Sequence, residues 1–463
     1  MLKCKRGKLN RAGRQRRVDR EFFLNFLVVN ENLSHYLTEN INMFATSPAT
    51  VDPEDEGFQL SYKIRAINGF TFGTLPGLNM CYGDQVTWHV YTLGPDIDNH
   101  HVTFEGNNFM FDGMTIDTVS VLPGMIRIQP GRLPKAETTP RYYIGAVYVE
   151  WDYAPIKIHP TSPSFIYVRN GSDFVGTIYT KTVFREFTDN TFTQMKPHHV
   201  NLGVIGPFIR GNVGDTIEIH LKNMATFPLN IVPKNLPFAD GSVINRALPT
   251  DPGKVRIYRY SIPYRSGPKR KQQKCIGTIY TSRVDPLKDA HSGLIGPMVI
   301  CKTGTLDQDG QTTDSIKVEF ATAFFIFDEN LSHHSTANFA ARAPARVDVA
   351  DPDFMQSNLY YSINGYIYGN LNGLDMEVGQ RSAWYVLEWV WMTTSIQCIS
   401  MDSYTENKIK IRGDVLEVYA GTYETVEMKA YNPGTWFFHC HVSTHVEAGM
   451  EGAYRVIPRF TNQ

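Results

Sequence analysis

The feature that most constrains the fold is an internal repeat. Asn30-Glu-Asn-Leu-Ser-His35 is answered by Asp328-Glu-Asn-Leu-Ser-His333. Further on, Asn68, Gly77 and Trp88 are answered by Asn364, Gly373 and Trp384, all at one offset of 296 (364 − 68). Self-similarity at a fixed offset means that one structural unit was copied, so both copies should take up the same backbone. Each copy alternates short runs of aromatic and β-branched residues with Gly-bearing turns, the pattern of a β-sandwich. The predicted class is all-β, with tandem Greek-key sandwiches. A chain of 463 residues accommodates roughly two to four such domains.

Charge and hydropathy exclude several classes of partner. The net charge is −1, so neither nucleic acid nor an anionic membrane is an expected partner. The basic run Arg11 to Arg20 reads as a solvated loop. No apolar run reaches the roughly 18 residues of a membrane span. Met1-Leu-Lys-Cys4 is basic without a following apolar core, so no signal peptide is predicted. Three N-glycosylation sequons, at Asn32, Asn170 and Asn330, nevertheless point to an extracellular or secreted setting. Asn32 and Asn330 hold matching places in the repeat.

The chemistry concentrates near the C-terminus, in Trp436-Phe-Phe-His439-Cys440-His441-Val-Ser-Thr-His445-Val-Glu-Ala-Gly-Met450. A mononuclear blue-copper site takes two His, one Cys thiolate and a long, weak axial Met. Cys440, His445 and Met450 supply three of these four ligands. Neighbouring residues on a strand point to opposite faces. Cys440 can therefore hold one copper while His439 and His441 reach a second metal centre behind it. The plainer reading is a His-rich surface turn beside a buried Cys, which leaves this combination of ligand types unexplained.

These residues resemble the copper loop of multicopper oxidases, and nearly all of the chain is similar to the C-terminal part of a ceruloplasmin/hephaestin-type ferroxidase. The resemblance implies tandem cupredoxin (plastocyanin-like) domains: a truncated one over 1–138, one without copper ligands over 139–303, and a copper-loop domain over 304–463. Arg141 to Ala154, Leu202-Gly-Val-Ile-Gly-Pro207 and Ser292 to Met298 carry the likeness for the middle domain. It implies a disulfide between Cys275 and Cys301, copper as cofactor, and Fe(II) and O2 as substrates. It also implies that Cys4 and Cys81 lack their usual partners. On that reading the chain is a fragment, splice form or gene-model error of a larger secreted or membrane-anchored protein, whose N-terminal domains are partners. The alternative is a complete, divergent three-domain protein.

The same resemblance implies gaps in the metal machinery. The family's trinuclear cluster needs eight imidazoles in four His-x-His pairs, and His439 and His441 are two of them. None of the 14 His lies between His334 and His439, where the family has its first copper imidazole and a His-x-His pair. Ser395 and Ile396 stand near that imidazole's place. Cys398 or Met401 could enter as a soft ligand, or Cys398 is simply a small buried residue. Gln356, Tyr361 and Thr444 occupy the places of the family's iron-site Glu, His and Asp. His100 matches the first imidazole of a site whose remaining loop is missing, with Glu105 where a second His would stand. His198-His199 and His333-His334 read as solvated loop residues. Three functions remain open: an impaired ferroxidase-like oxidoreductase, a non-catalytic copper-binding module, and an interaction module like the related A domains of clotting factors.

Overall fold

In a computed structural model, the described residues are 18–80, 84, 86–93, 100–104, 109–111, 114–116, 118–121, 138–156, 168, 170–171, 174–239, 248–269, 272–307, 310–312, 315–343, 347–388, 399–406, 412–416, 418 and 421–458. They form two compact units. The first runs from the N-terminus to Arg132, apart from Phe104–Asn108 and Gly113–Asp117, and the second holds everything from Leu133 onward. The fold is all-β, as the alternation predicted; the helices are short, at most eight residues among those described.

The repeat is visible in the backbone. In the first unit Arg20–Asn30 pairs antiparallel with Lys63–Ile67 and parallel with Val86–Leu93. In the second, Ile316–Asp328 pairs antiparallel with Leu359–Ile363 and parallel with Arg381–Glu388. Phe22 opposes Trp88 in one copy and Phe320 opposes Trp384 in the other. Both copies also use the same asparagine brace. Asn68 accepts from the Asn25 amide and donates to the Phe23 carbonyl. Asn364 does the same with Ala323 and Ala321. Each Asn sits at φ near +50°, a region Asn tolerates better than most residues because its short amide hydrogen-bonds locally.

The second unit begins with a sandwich of two four-stranded sheets. One has the order Ile178–Phe187, Arg141–Asp152, Thr216–Asn223, Val255–Ser261, and the other Ile209–Asn212, Ile295–Cys301, Cys275–Thr281, Val232–Pro233. Their inner faces share a core that includes Ile144, Ile219, Leu221, Tyr260 and Met298. Cys275 and Cys301 lie opposite each other in register and are disulfide-bonded. The C-terminal part is a single nine-stranded sheet. Its end strands bring Ile363 and Met376 into one core with Phe324, Trp384, Phe438 and Tyr454. That sheet must therefore wrap around its own apolar side.

Between these two parts of the second unit lies an apolar layer containing Tyr153, Tyr179, Phe325, Phe327, Phe354 and Tyr360. Embedded in it is an ion pair between Lys181 and Glu329, both side chains fully buried. Tyr153 donates to Glu329 and Lys181 also donates to the His291 carbonyl. Burial drives the Lys181 pKa down and the Glu329 pKa up, each opposed by the partner's charge. The histidines read as solvated from sequence belong largely to this interface. His334 is buried against Thr182, and His333 stacks on Phe227 and bonds to Asp289. His198 is half-buried and bonds to the Gly203 carbonyl; only His199 is exposed. Polar side chains in runs of loop residues look solvated until a second sheet is laid over them.

Candidate copper centre

The strand Gly434–Cys440 positions the site. It lies between Ile399–Glu406 and Glu451–Ile457, with Cys440 opposite Ile399 and His439 opposite both Ser400 and Glu451. Its burial alternates at the functional end: Phe438 and Cys440 are buried, while Phe437 is exposed and His439 half-buried. Cys440 joins the apolar core, and His439 faces outward.

After Cys440 the chain turns through a short helix, Ser443–Glu447, and returns at Met450. Backbone bonds close this loop. Cys440 N–H donates to the Met450 carbonyl (3.1 Å), and Met450 N–H to the His445 carbonyl (2.9 Å). Gly449 makes the return possible, because it sits at φ +105° with Ile367 only 2.9 Å from where a Cβ would be. Tyr368 clamps the loop from outside, donating its amide to Gly449 and its hydroxyl to the Glu447 carbonyl.

Cys440 and Met450 are fully buried and His445 nearly so. Cys440 Sγ stands 3.7 Å from His445 Nδ1 and receives the Val442 amide at 3.5 Å. The donor atoms are close enough for one ion at ordinary metal–ligand lengths of about 2.0–2.3 Å to reach both. An N–H aimed at sulfur favours the thiolate, the form that binds metal. Burial lowers the pKa of His445, which keeps its imidazole neutral and its lone pair available. Tyr361 packs on the His445 ring at 5.0 Å. The donor set of thiolate, imidazole and thioether is soft, and fits copper. Among the described residues no three His, Cys, Asp or Glu side chains converge on a point; Cys440 and His445 approach through their donor atoms, while Met450 is buried in the same core as Cys440 and tied to both through the backbone.

Across the strand, His439 and His441 stack with ring centroids 4.9 Å apart, and Phe437 stacks on His439 at 4.6 Å. His439 Nδ1 lies 2.9 Å from the Cys440 carbonyl. As donor in that bond, Nδ1 carries the proton and leaves Nε2 free as a ligand. The peptide of Cys440 thus links the buried sulfur to the outward imidazole directly.

Other sequence-predicted residues lie apart. Ser395, Ile396 and Cys398 fall outside the described residues, as do Cys4, Cys81 and Glu105. His100 begins the strand His100–Thr103, which pairs with Thr118–Val121. Gln356 and Thr444 are exposed, in separate short helices. Asn32 and Asn330 lie at the centre of equivalent turns, Glu31–Leu33 and Glu329–Leu331, and use their amides alike. Asn330 Nδ2 donates to Asp328 and to the Met355 carbonyl, and Asn32 Nδ2 to Asn30 and the Gln59 carbonyl. Lys181 and its network had no signal in the sequence beyond Glu329's place in the repeat.

A family profile described as multicopper oxidase matches residues 391–459. Mouse hephaestin is 38% identical over an alignment covering 99% of this chain and 44% of hephaestin. Human ceruloplasmin is 35% identical, covering 98% of this chain and 47% of ceruloplasmin. Human ferroxidase HEPHL1 is 34% identical, covering 100% of this chain and 44% of that protein. The chain spans somewhat less than half the length of the curated relatives it matches. Among the described residues no helix is long and apolar enough to cross a membrane. With similarity running through the whole chain and a thiolate–imidazole–thioether loop at its end, the chain belongs to the copper-using multicopper oxidases of the ceruloplasmin/hephaestin type.

Proposed function

We propose that this chain is an extracellular copper-binding member of its family that holds a single copper through Cys440, His445 and Met450. Its domains are 1–138, 139–303 and 304–463 on this reading, with the copper site in the last. The observation that carries it is the 3.7 Å separation of Cys440 Sγ and His445 Nδ1 in a buried pocket. Copper bound there would supply one-electron redox chemistry. The protein's own part is to hold the sulfur as thiolate, keep His445 neutral, and connect Cys440 to His439 through one peptide. His439 and His441 offer two imidazoles on the outer face. The relatives named hephaestin, ceruloplasmin and ferroxidase HEPHL1 suggest Fe(II) as reductant and O2 as acceptor. Two imidazoles do not make the eight-imidazole cluster, so this chain by itself is a poor or inactive ferroxidase. Sequons at Asn32, Asn170 and Asn330 support a glycoprotein. The test is oxygen uptake by the purified, copper-loaded chain given Fe(II). The expected result is no uptake above that of free copper; sustained turnover would overturn the reading.

A further inference from the structure

On the outer face of the Arg141–Cys301 sandwich, three strands bring Arg141, Glu218, His220 and Arg259 to one place. Arg141, Glu218 and Arg259 stand in a single row across Arg141–Asp152, Thr216–Asn223 and Val255–Ser261. The residues next to them, Ile217, Ile219, Tyr258 and Tyr260, point the other way and are buried in the core. Alternation along each strand therefore turns the charged row outward. Glu218 is the only acidic residue of Thr216–Asn223 and Val255–Ser261. Its side chain is 7% exposed, whereas those of Arg141 and Arg259 are 54% and 56% exposed.

Three donors converge on that one carboxylate. Arg141 Nε donates to Oε1 and Arg259 Nε to Oε2, each at 2.7 Å. His220 Nε2 lies 2.7 Å from Oε1. These bonds, the one from His220 first, hold the Glu218 carboxyl at about 2, so it stays an anion. Arg455 shows the fuller pairing an arginine can make, giving Nε and Nη2 to the two oxygens of Asp375. Arg141 and Arg259 share one carboxylate instead, and each spends Nε alone on it. Their Nη groups remain for another acceptor. Two pinned guanidiniums against one carboxylate leave a single positive charge, presented through N–H donors, and that is the complement of an oxyanion.

We propose that Arg141 and Arg259, held by Glu218, form a binding site for a sulfate ester of an extracellular polysaccharide. Charge selects sulfate over phosphate. A sulfate ester is a monoanion and matches the single uncompensated charge. A phosphate ester is close to a dianion at pH 7, and its extra charge meets the Glu218 carboxylate as a repulsive neighbour. Sulfate oxygens only accept hydrogen bonds, and both guanidinium forks only donate. In the next outward row Ile257 stands opposite His220 and is exposed, an apolar floor for the C–H face of a sugar ring. The polysaccharide as source of the sulfate rests on the extracellular reading of the chain; the chemistry of the site does not.

The test is calorimetric titration of the full chain with a heparin-derived hexasaccharide, beside an unsulfated hyaluronan hexasaccharide. Purified components keep the outcome separate from whether the chain is secreted. The expected result is binding of the sulfated sugar alone, weakened roughly tenfold or more by Arg141→Ala and by Arg259→Ala, since each removes charge-assisted donors. Each variant leaves Glu218 the other arginine and His220, so both should keep the unfolding temperature of the wild type. Lys222→Ala removes a cation of the same strand that bonds to the Gly253 carbonyl, and should leave the affinity essentially unchanged. Glucose 6-sulfate should compete more strongly than glucose 6-phosphate. Absence of binding, or equal binding of hyaluronan, would overturn the proposal. So would equal losses in all three variants, which would mean general attraction to a basic surface. Stronger competition by glucose 6-phosphate would overturn the assignment to sulfate.

Discussion

Cys440 concentrates the chemistry of this chain at one atom. Its sulfur is buried in an apolar core, faces His445 and takes an amide from Val442, the surroundings that the proposed copper thiolate requires. His445→Ala should weaken Cu(I) affinity by roughly tenfold or more, as loss of one of a few ligands does, measured by competition with a chromophoric chelator. Unchanged affinity would remove His445 from the site. The proximity of the proposed ligands Cys440, His445 and Met450 was legible in the sequence because they sit on one short loop, where spacing alone limits the geometry. His333 and His334 were not legible, because their burial depends on Phe227, Asp289 and Thr182 from the other sandwich. Lys181 was hidden for the same reason. Lys181→Met should destabilise by about 3–5 kcal/mol, since it leaves Glu329 charged and unpaired in the interior. The double variant with Glu329→Met should recover much of that loss in chemical denaturation; equal destabilisation by both would mean that packing, not charge, is at stake.

At the scale of elements, alternation along Gly434–Cys440 sets sulfur inward and imidazole outward, and this was readable from period-two logic. The turn after each first repeat strand is a second such device. Its Asn, at 32 or 330, was legible as a sequon, but the sequence could not show that the amide already holds the turn. A glycan on Nδ2 must displace one of the two hydrogen bonds that atom donates in each copy. Asn330→Ala should therefore lower stability by about 1–3 kcal/mol, whereas Ser332→Ala, which removes the sequon by another route, also loses the Ser332 hydroxyl bonds to Ser292 and His334. Comparing the glycosylated chain with the same chain made in a host that adds no N-glycan separates the two effects: an unchanged melting temperature without glycan would show the turn holding through its own amides, and a marked fall would show the glycan holding it. The match of Trp88 with Trp384 was legible in the repeat; the strand pairing the two copies share, with a Phe opposite each Trp, appears only in the structure.

The whole molecule should respond to acid through its interface. His291 and His334 have pKa values lowered to about 4, by burial first and by the Lys181 ammonium next. His198 is lowered to about 4 as well, by burial and then Arg185. In the unfolded chain these groups bind protons near pH 6.5. Between those limits the unfolded state carries more protons, so stability is full above about 6.5 and falls as the pH drops toward 4. Calorimetry from pH 7 to 4.5 should show a steadily falling main transition, and His334→Gln should flatten the slope. The first unit, with Phe23 more than half exposed, is expected to melt first. Shortening the chain to begin at Arg141 should leave the main transition in place, and a clear drop would show that the first unit supports the second. The central claim is a single copper held by Cys440, and elemental analysis of the secreted, copper-loaded chain tests it most directly. The account predicts about one copper per chain in the wild type and essentially none in Cys440→Ser; several coppers per chain, or a copper that survives the substitution, would contradict it.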